Sequence, residues 1–176
     1  MNFLQRRAKI VVTKLEDINI RNTLIPGDIG YIIYLHGLLY SHEYDYGIEF
    51  ETYVANGFYE FYQNYSPEKD RVWVCEHNEK IVGFLLLMHR ENNAAQLRYF
   101  LIKPEYRSIG LGKKLMELFM DFMNNCNYRS AYLWTTHELN VAASLYKRHG
   151  FKLTEEKEST AFGKPLWEQR YDLIIN

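Results

Sequence analysis

LRYFLIKPEYRSIGLGKKL, residues Leu97–Leu115, combines a strand, a turn with two glycines and the start of a helix. Gly110 and Gly112 lack a Cβ, so the backbone there can approach a ligand closely. The first N–H groups of a helix have no partner within the helix, and the helix dipole adds partial positive charge at that end. This order of elements predicts a turn that binds an anion such as a phosphate.

The segments around this turn predict a mixed α/β domain. One strand, two helices and three further strands precede the turn, and a helix, a strand, a second helix and two strands follow it. We expect a mixed, mostly antiparallel sheet of about seven strands with about four helices on both faces. The helix after the turn shows apolar side chains at steps of three and four. They are Leu111, Leu115, Leu118, Phe119, Phe122 and Cys126.

The strand before the turn, AQLRYFLI, has the alternation expected of a sheet with helices on both sides. Regular alternation places Leu97, Tyr99 and Leu101 on one face and Phe100 and Ile102 on the other. These five side chains are therefore predicted to divide between two apolar layers.

Length and composition place the chain in the globular class. Its 176 residues suit one domain, and 47% hydrophobic residues exclude disorder. The sequence shows no apolar run as long as a membrane span and no signal-peptide pattern at its start, so we expect no membrane partner. Cys75 and Cys126 are too few for a disulfide framework, which favours a reducing cytoplasm.

The net charge of −1 argues against nucleic acid as a partner, but the charge is unevenly distributed. Residues 22–68 contain seven acidic residues and no Lys or Arg, while the remaining chain has 21 basic and 15 acidic residues. Nine of the 15 tyrosines lie between Tyr31 and Tyr65. An acidic, tyrosine-rich wall of this kind suits a cationic amine.

Two common phosphate loops do not match the turn. A P-loop requires Gly where Arg107 stands and Ser or Thr where Lys114 stands. A dinucleotide fingerprint requires a third Gly at Leu115. Binding of a free nucleotide is therefore disfavoured.

The chain instead resembles the Gcn5-related N-acetyltransferases (GNAT family) in two separate motifs. Arg107, Gly110 and Gly112 match the family's Arg/Gln-x-x-Gly-x-Gly signature, between a strand and a helix. AASLYKRHGF matches a second segment that includes Tyr146 and Gly150. The resemblance implies an N-acetyltransferase that transfers an acetyl group from acetyl-CoA to a primary amine by direct attack.

Further stretches, including HGLLYSHEY and FGKPLWEQRYDL, resemble the acetyltransferase half of bacterial winged-helix-regulator/acetyltransferase fusions. We expect an N-terminal extension over residues 1–17, too short for a winged helix, and an acetyltransferase domain over 18–176. The acceptor implied is a small-molecule amine or a lysine side chain, and the family suggests a monomer or a homodimer.

By the same resemblance, the pantetheine arm of the cofactor lies between the strands LRYFLI and SAYLWT, and the pyrophosphate rests on the glycine turn. A backbone N–H near Ile102 is the expected donor to the thioester carbonyl. Lys113 or Lys114 is placed to meet the remaining phosphate charge. The cofactor-binding residues implied are Phe100, Leu101, Ile102, Arg107, Ser108, Ile109, Gly110, Leu111, Gly112 and Lys113.

Tyr146 matches the family's acid, and we expect its hydroxyl to stabilise the departing thiolate by a hydrogen bond. The base must take a proton from the ammonium form of the acceptor. Glu43, directly or through water, is the first candidate and His36 the second. Both lie on one helical stripe with Tyr40 and Tyr44.

The predicted acceptor pocket combines two tyrosines of that stripe with one residue from each of the strands LRYFLI and SAYLWT. Its members are Tyr40, Tyr44, Arg98 and Trp134. No metal site is expected, because His42-Glu43 and His137-Glu138 lack the second His of a zincin. An Asn that the family often places seven residues before its tyrosine is Leu139 here. A non-catalytic sensor of acyl-CoA is therefore the alternative function.

Overall fold

The computed structural model of the chain describes residues 13–175, and residues 1–12 and 176 lie outside the described part. The predicted order of helices and strands is confirmed. The elements are β1 Asn19–Arg21, α1 Asp28–Tyr44, α2 Ile48–Gln63, β2 Arg71–His77, β3 Lys80–Arg90, β4 Ala94–Ile102, α3 Leu111–Asn125, β5 Ser130–Thr136, α4 Asn140–Arg148, β6 Lys152–Ser159 and β7 Leu166–Ile174.

The seven strands form one sheet in the order β1-β2-β3-β4-β5-β7-β6. All neighbouring pairs are antiparallel except β4 and β5, which run parallel. The turn between β2 and β3 is tight because Asn78 and Glu79 both adopt positive φ, as hairpins with two-residue loops require. The predicted mixed, mostly antiparallel sheet is thus confirmed.

Two apolar layers cover the two faces of the sheet, as predicted. Helices α3 and α4 pack on one face through residues such as Leu115, Phe119 and Tyr146. Helices α1 and α2 pack on the other face through residues such as Ile32 and Phe58. The sheet therefore separates an α1–α2 side from an α3–α4 side, and any cleft at its centre can be reached from both.

Strand β4 contains a bulge that overturns the regular alternation predicted for it. Tyr99 has φ +55°, and the register with β3 shifts between Phe84 and Leu86. As a result Tyr99 and Leu101 pack on the α1–α2 side, whereas Leu97 packs on the α3–α4 side. An extra residue in one strand disrupts the ladder and bends that strand, which is why the alternation fails here.

Beyond the bulge, β4 and β5 separate. Their parallel pairing runs from Ala94 with Ser130 to Leu97 with Leu133 and goes no further. The remainder of β4, from Arg98 to Ile102, has lost its partner on that side. The two strands thus form an open wedge at the centre of the sheet, with backbone groups of β4 along one edge.

Most of the extension predicted over residues 1–17 lies outside the described residues. Within the described part, Leu15–Asp17 form one short 3-10 turn, and Leu15 packs against the layer that contains α3. Across residues 13–175, none of the helices has the length and apolar character that crossing a bilayer requires.

Candidate active site

A cavity of about 1030 Å³ opens at the wedge, between the end of α1, the turn before α3 and the start of α4. Of the predicted cofactor residues, eight line it: Phe100, Leu101, Ile102, Arg107, Ser108, Gly110, Gly112 and Lys113. The side chains of Ile109 and Leu111 instead pack against or within the α3–α4 layer. For these two, only the backbone belongs to the turn.

The turn itself leaves the first N–H groups of α3 without a partner among residues 13–175. Gly110 is the N-cap, with φ +92°, and makes no side-chain cap, and the first turn of α3 contains no acidic residue. Between Ser108 and Lys113, no backbone N–H donates a hydrogen bond to another described residue. Donors left open in this way, beside Lys113, are suited to an anion.

Gly110 is expected to be required for the shape of this turn. Alanine at φ +92° is strained by about 1–2 kcal/mol, so Gly110→Ala should lower the free energy of unfolding by that amount and weaken coenzyme A binding. Chemical denaturation and calorimetry measure the two effects. Gly112→Ala is the control, because a Cβ there meets Leu145 at an ordinary 3.4 Å without positive φ. Equal destabilisation by both variants would contradict the assignment.

Arg107 and Glu43 form an ion pair across the mouth of the large cavity. The Nη1 and Nη2 atoms of Arg107 each donate to a carboxylate oxygen of Glu43 at 2.8 Å. The Nε of Arg107 donates to the carbonyl of Ile102 at 2.9 Å. The guanidinium thus joins the glycine turn to both α1 and β4, and both oxygens of Glu43 are engaged.

Tyr146 lies on α4 where the wedge opens, and it is buried with 5% of its surface exposed. Its hydroxyl has no hydrogen-bond partner among residues 13–175, yet it lines the cavity. Burial raises the pKa of Tyr146 above its usual range, so the phenol stays protonated at neutral pH. A protonated hydroxyl without a partner is free to donate a hydrogen bond to a ligand.

A smaller cavity of about 90 Å³ lies deeper in the wedge, toward the α1–α2 side. The two cavities share four lining residues: Tyr40, Phe100, Leu139 and Tyr146. Arg98 and Trp134, at the vertex where the strands separate, line the smaller cavity. The structure therefore brings the predicted acceptor residues Tyr40, Arg98 and Trp134 together, while Tyr44 lines the large cavity.

His36 lines the smaller cavity and is almost fully buried, at 1% exposure. Its Nδ1 lies 2.8 Å from the carbonyl oxygen of Ile32, which can only accept, so Nδ1 carries the proton. Its Nε2 has no partner among the described residues. Burial lowers the pKa of His36 to about 4, so the ring is neutral at pH 7 and is a weak base there.

Two acidic residues that sequence reasoning did not assign to the site also line the cavities. Glu138 lines the large cavity just before α4. Its Oε1 accepts a hydrogen bond from Lys164 at 2.7 Å, and its buried Oε2 has no partner among the described residues. Glu168 on β7 lines the smaller cavity opposite Thr136. In the sequence, Glu138 stands only in an incomplete zincin pattern, and only the pairing of β5 with β7 would have indicated Glu168.

Comparison with known proteins agrees with this geometry. The pattern of the Acetyltransferase (GNAT) family matches residues 38–151, more than half of the chain. The uncharacterized N-acetyltransferase YjgM of Escherichia coli is 32% identical over 96 residues, which cover 53% of this chain and 58% of YjgM. The chain spans about half the length of the relatives that it matches by sequence.

Two solved structures share the fold. A GNAT-family acetyltransferase of Staphylococcus aureus Mu50 superposes with a TM-score of 0.72 at 21% identity, over 90% of this chain and 99% of that one. The yncA protein of Salmonella typhimurium, solved with its cofactor acetyl-CoA, gives a TM-score of 0.65 at 20% identity, over 91% and 95%. At such identities the likeness concerns the fold alone. The family match over residues 38–151 rests on the sequence and is independent of the fold comparison. It shows that this chain belongs to the acetyltransferase (GNAT) family.

Proposed function

We propose that the protein is an acetyl-CoA-dependent N-acetyltransferase that acts on a primary amine by direct attack. The observation that carries the proposal is the continuity of the site. The open donors of the glycine turn, the unpaired edge of β4, the free hydroxyl of Tyr146 and the smaller cavity follow one another along the wedge. This order matches the phosphate, pantetheine, thioester and acceptor that such a reaction brings together.

The residues present fit the cofactor. The N–H groups from Ser108 to Lys113 and the α3 dipole suit a pyrophosphate. The edge of β4 from Arg98 to Ile102 suits a pantetheine arm that pairs as an added strand would. When bound, acetyl-CoA supplies an acetyl group activated as a thioester.

The protein's own contribution is to hold protons and donors at defined atoms. Tyr146 keeps its proton and donates a hydrogen bond toward the departing sulfur. A backbone N–H near Ile102 donates to the carbonyl oxygen as charge develops there. A carboxylate accepts the proton of the acceptor ammonium, since a protonated amine has no lone pair for attack.

For that carboxylate, we propose Glu138, with Glu43 as the alternative. Oε2 of Glu138 is unengaged, whereas both oxygens of Glu43 accept from Arg107. The weakly basic His36 is better suited to accepting a hydrogen bond than to taking a proton. Glu43, predicted as the first candidate for the base, then has the role of positioning Arg107 at the turn.

Glu138→Gln is expected to lower kcat/KM by about 10²-fold at pH 7, because an amide cannot take a proton. The deficit should shrink toward pH 10, where a free alkylamine loses its own proton. Glu43→Gln should mainly raise the KM for acetyl-CoA and keep its deficit at every pH. Steady-state rates from pH 6 to 10 measure both. A deficit that recovers with pH in Glu43→Gln, and not in Glu138→Gln, would assign the base to Glu43.

The enzyme assignment is tested by release of free thiol from acetyl-CoA in the presence of amines. Polyamines, amino acids, aminoglycosides and lysine peptides form the panel, because either a small amine or a lysine side chain suits the site. Thiol release that depends on the acceptor supports the proposal. Coenzyme A binding without turnover for the whole panel favours the second function, a sensor of acyl-CoA, to which Leu139 in place of the family's Asn would point.

We also propose a cytoplasmic protein, monomeric or homodimeric, related to the acetyltransferase half of winged-helix-regulator fusions. The stretches HGLLYSHEY and FGKPLWEQRYDL support that kinship. The free thiols of Cys75 and Cys126 support a reducing compartment.

A further inference from the structure

The smaller cavity combines an aromatic wall with two opposite charges. Its aromatic lining includes Tyr46, Phe50 and Phe162, whose rings contact one another. Its charged lining consists of Arg98 on β4 and Glu168 on β7, which approach the wedge from opposite sides. A cavity that serves only a simple amine has no need of a guanidinium.

The guanidinium of Arg98 is under-partnered for its burial. Its side chain is 10% exposed, and the nearest carboxylate oxygen, from Glu60, lies 3.5 Å from Nη1. The group otherwise stacks over the rings of Tyr99 and Tyr53, at 4.6 and 5.4 Å. It lies near the Tyr99 hydroxyl, and within residues 13–175 it donates no hydrogen bond of regular geometry. The guanidinium therefore has N–H donors to spare for an anionic ligand, and a planar carboxylate matches their fork.

The same cavity also contains acceptors for a cation. The lone pair of His36 Nε2 is buried and unpartnered within residues 13–175, and the ring is neutral. Glu168 has one ion pair, with Lys157 at 3.6 Å, which is a long contact. Trp134 adds a ring face that already attracts the Lys157 ammonium at 4.5 Å. The cavity thus offers donors for an anion and acceptors for a cation within about 90 Å³.

We infer that the acceptor is a free amino acid, whose carboxylate binds Arg98 and whose ammonium lies among His36, Glu168 and the junction with the large cavity. This inference rests on the proposed function and names its substrate class. Transfer then forms a bond from the α-nitrogen to the acetyl carbon and breaks the bond from that carbon to sulfur. One ammonium proton goes to the base, and the products are the N-acetylamino acid and the free thiol.

The test compares each of the common amino acids with the amine that remains when its carboxyl group is removed, for example lysine with cadaverine and alanine with ethylamine. The full chain is titrated by calorimetry with each ligand, with and without coenzyme A. At least one amino acid should bind tenfold or more tightly than its decarboxylated partner. Equal affinity within every pair, tighter binding of the amine, or no binding in either condition would overturn the inference.

Arg98→Gln should remove the preference for the carboxylate, while Arg98→Lys should keep part of it. Arg90→Gln is the matched control, since Arg90 also pairs with Glu60 but does not line the cavity. It should keep the preference and fold as the wild type does in thermal denaturation. A preference that survives in Arg98→Gln would also refute the role given to this residue.

The thiol assay separates failure of this inference from failure of the proposed function. If decarboxylated amines are acetylated as fast as amino acids, the N-acetyltransferase function is supported and the inference of an amino acid acceptor is refuted. If amino acids bind in a way that depends on Arg98 but no thiol is released, the amino acid pocket is supported and the enzymatic function is refuted.

Discussion

Replacing Tyr146 by phenylalanine is expected to lower the turnover number by about 10²–10³-fold and to leave coenzyme A affinity almost unchanged. The substitution removes one hydroxyl. That hydroxyl has no partner among the described residues, and Tyr146 lines both cavities. Its loss therefore affects the transition state, where charge develops on sulfur, more than the ground state. Thiol release at saturating substrates measures turnover, and calorimetry measures affinity.

Tyr171→Phe is the matched control for this variant. The Tyr171 ring lies 6.4 Å from that of Tyr146 in the same apolar layer, and its hydroxyl makes only a long 3.4 Å bond to Gln169. It lines neither cavity, so its turnover should stay near that of the wild type. If both variants lost turnover equally, the effect would come from packing, and the role of the Tyr146 hydroxyl would be refuted.

Reversing the charge of Lys113 should weaken coenzyme A binding by about tenfold or more, equivalent to about 1.4 kcal/mol. Lys113 lines the large cavity in the first turn of α3, with 75% of its side chain exposed. A carboxylate there repels a pyrophosphate, but it complements the helix dipole by about 0.3–1 kcal/mol. Lys113→Glu also replaces the 3.7 Å ion pair of Lys113 with Glu117 by a repulsion of about 0.2–0.5 kcal/mol, which offsets that gain. The variant should therefore bind more weakly and yet unfold near the wild-type temperature. Calorimetry and thermal denaturation measure the two quantities.

Lys114→Glu makes the same change of net charge one residue away, where the side chain does not line the cavity. It leaves the Lys113–Glu117 ion pair in place, so it should be at least as stable as Lys113→Glu, and it should lose far less affinity. A comparable loss of affinity in both variants would mean that net charge, rather than the turn, attracts the cofactor. A marked destabilisation by Lys113→Glu would mean that the N-terminus of α3 is not open to an anion.

Local patterns in the sequence were enough to predict the elements and the open glycine turn before α3. Apolar spacing predicted α3, and the structure places a helix over Leu111–Asn125. Gly110 and Gly112 predicted an open turn, because glycine at a helix start removes both the cap and the Cβ. Tyr146 followed from a motif within α4. Each of these inferences depends on neighbours within about one or two turns of chain, which a sequence displays directly.

The acceptor side was harder to predict, because its contacts join residues far apart in the chain. Glu43 is 64 residues from Arg107, and their ion pair engages the carboxylate first expected to act as base. Glu138 gained its proposed role through a buried oxygen that only packing reveals. His36 was predicted as a base, but its burial within the α1–α2 layer makes it a neutral acceptor.

By itself, the sequence determined the fold class and the position of the glycine turn, since periodicity and glycine placement act locally, and its two motifs indicated the family by resemblance. The tertiary structure alone decided the shape of the smaller cavity. Tyr99 adopts positive φ without any turn residue to announce it, and this bulge is followed by the separation of β4 from β5 and the exposure of Arg98 to the cavity. A bulge arises from the competition of two strand registers, and that competition depends on partners supplied by the whole sheet.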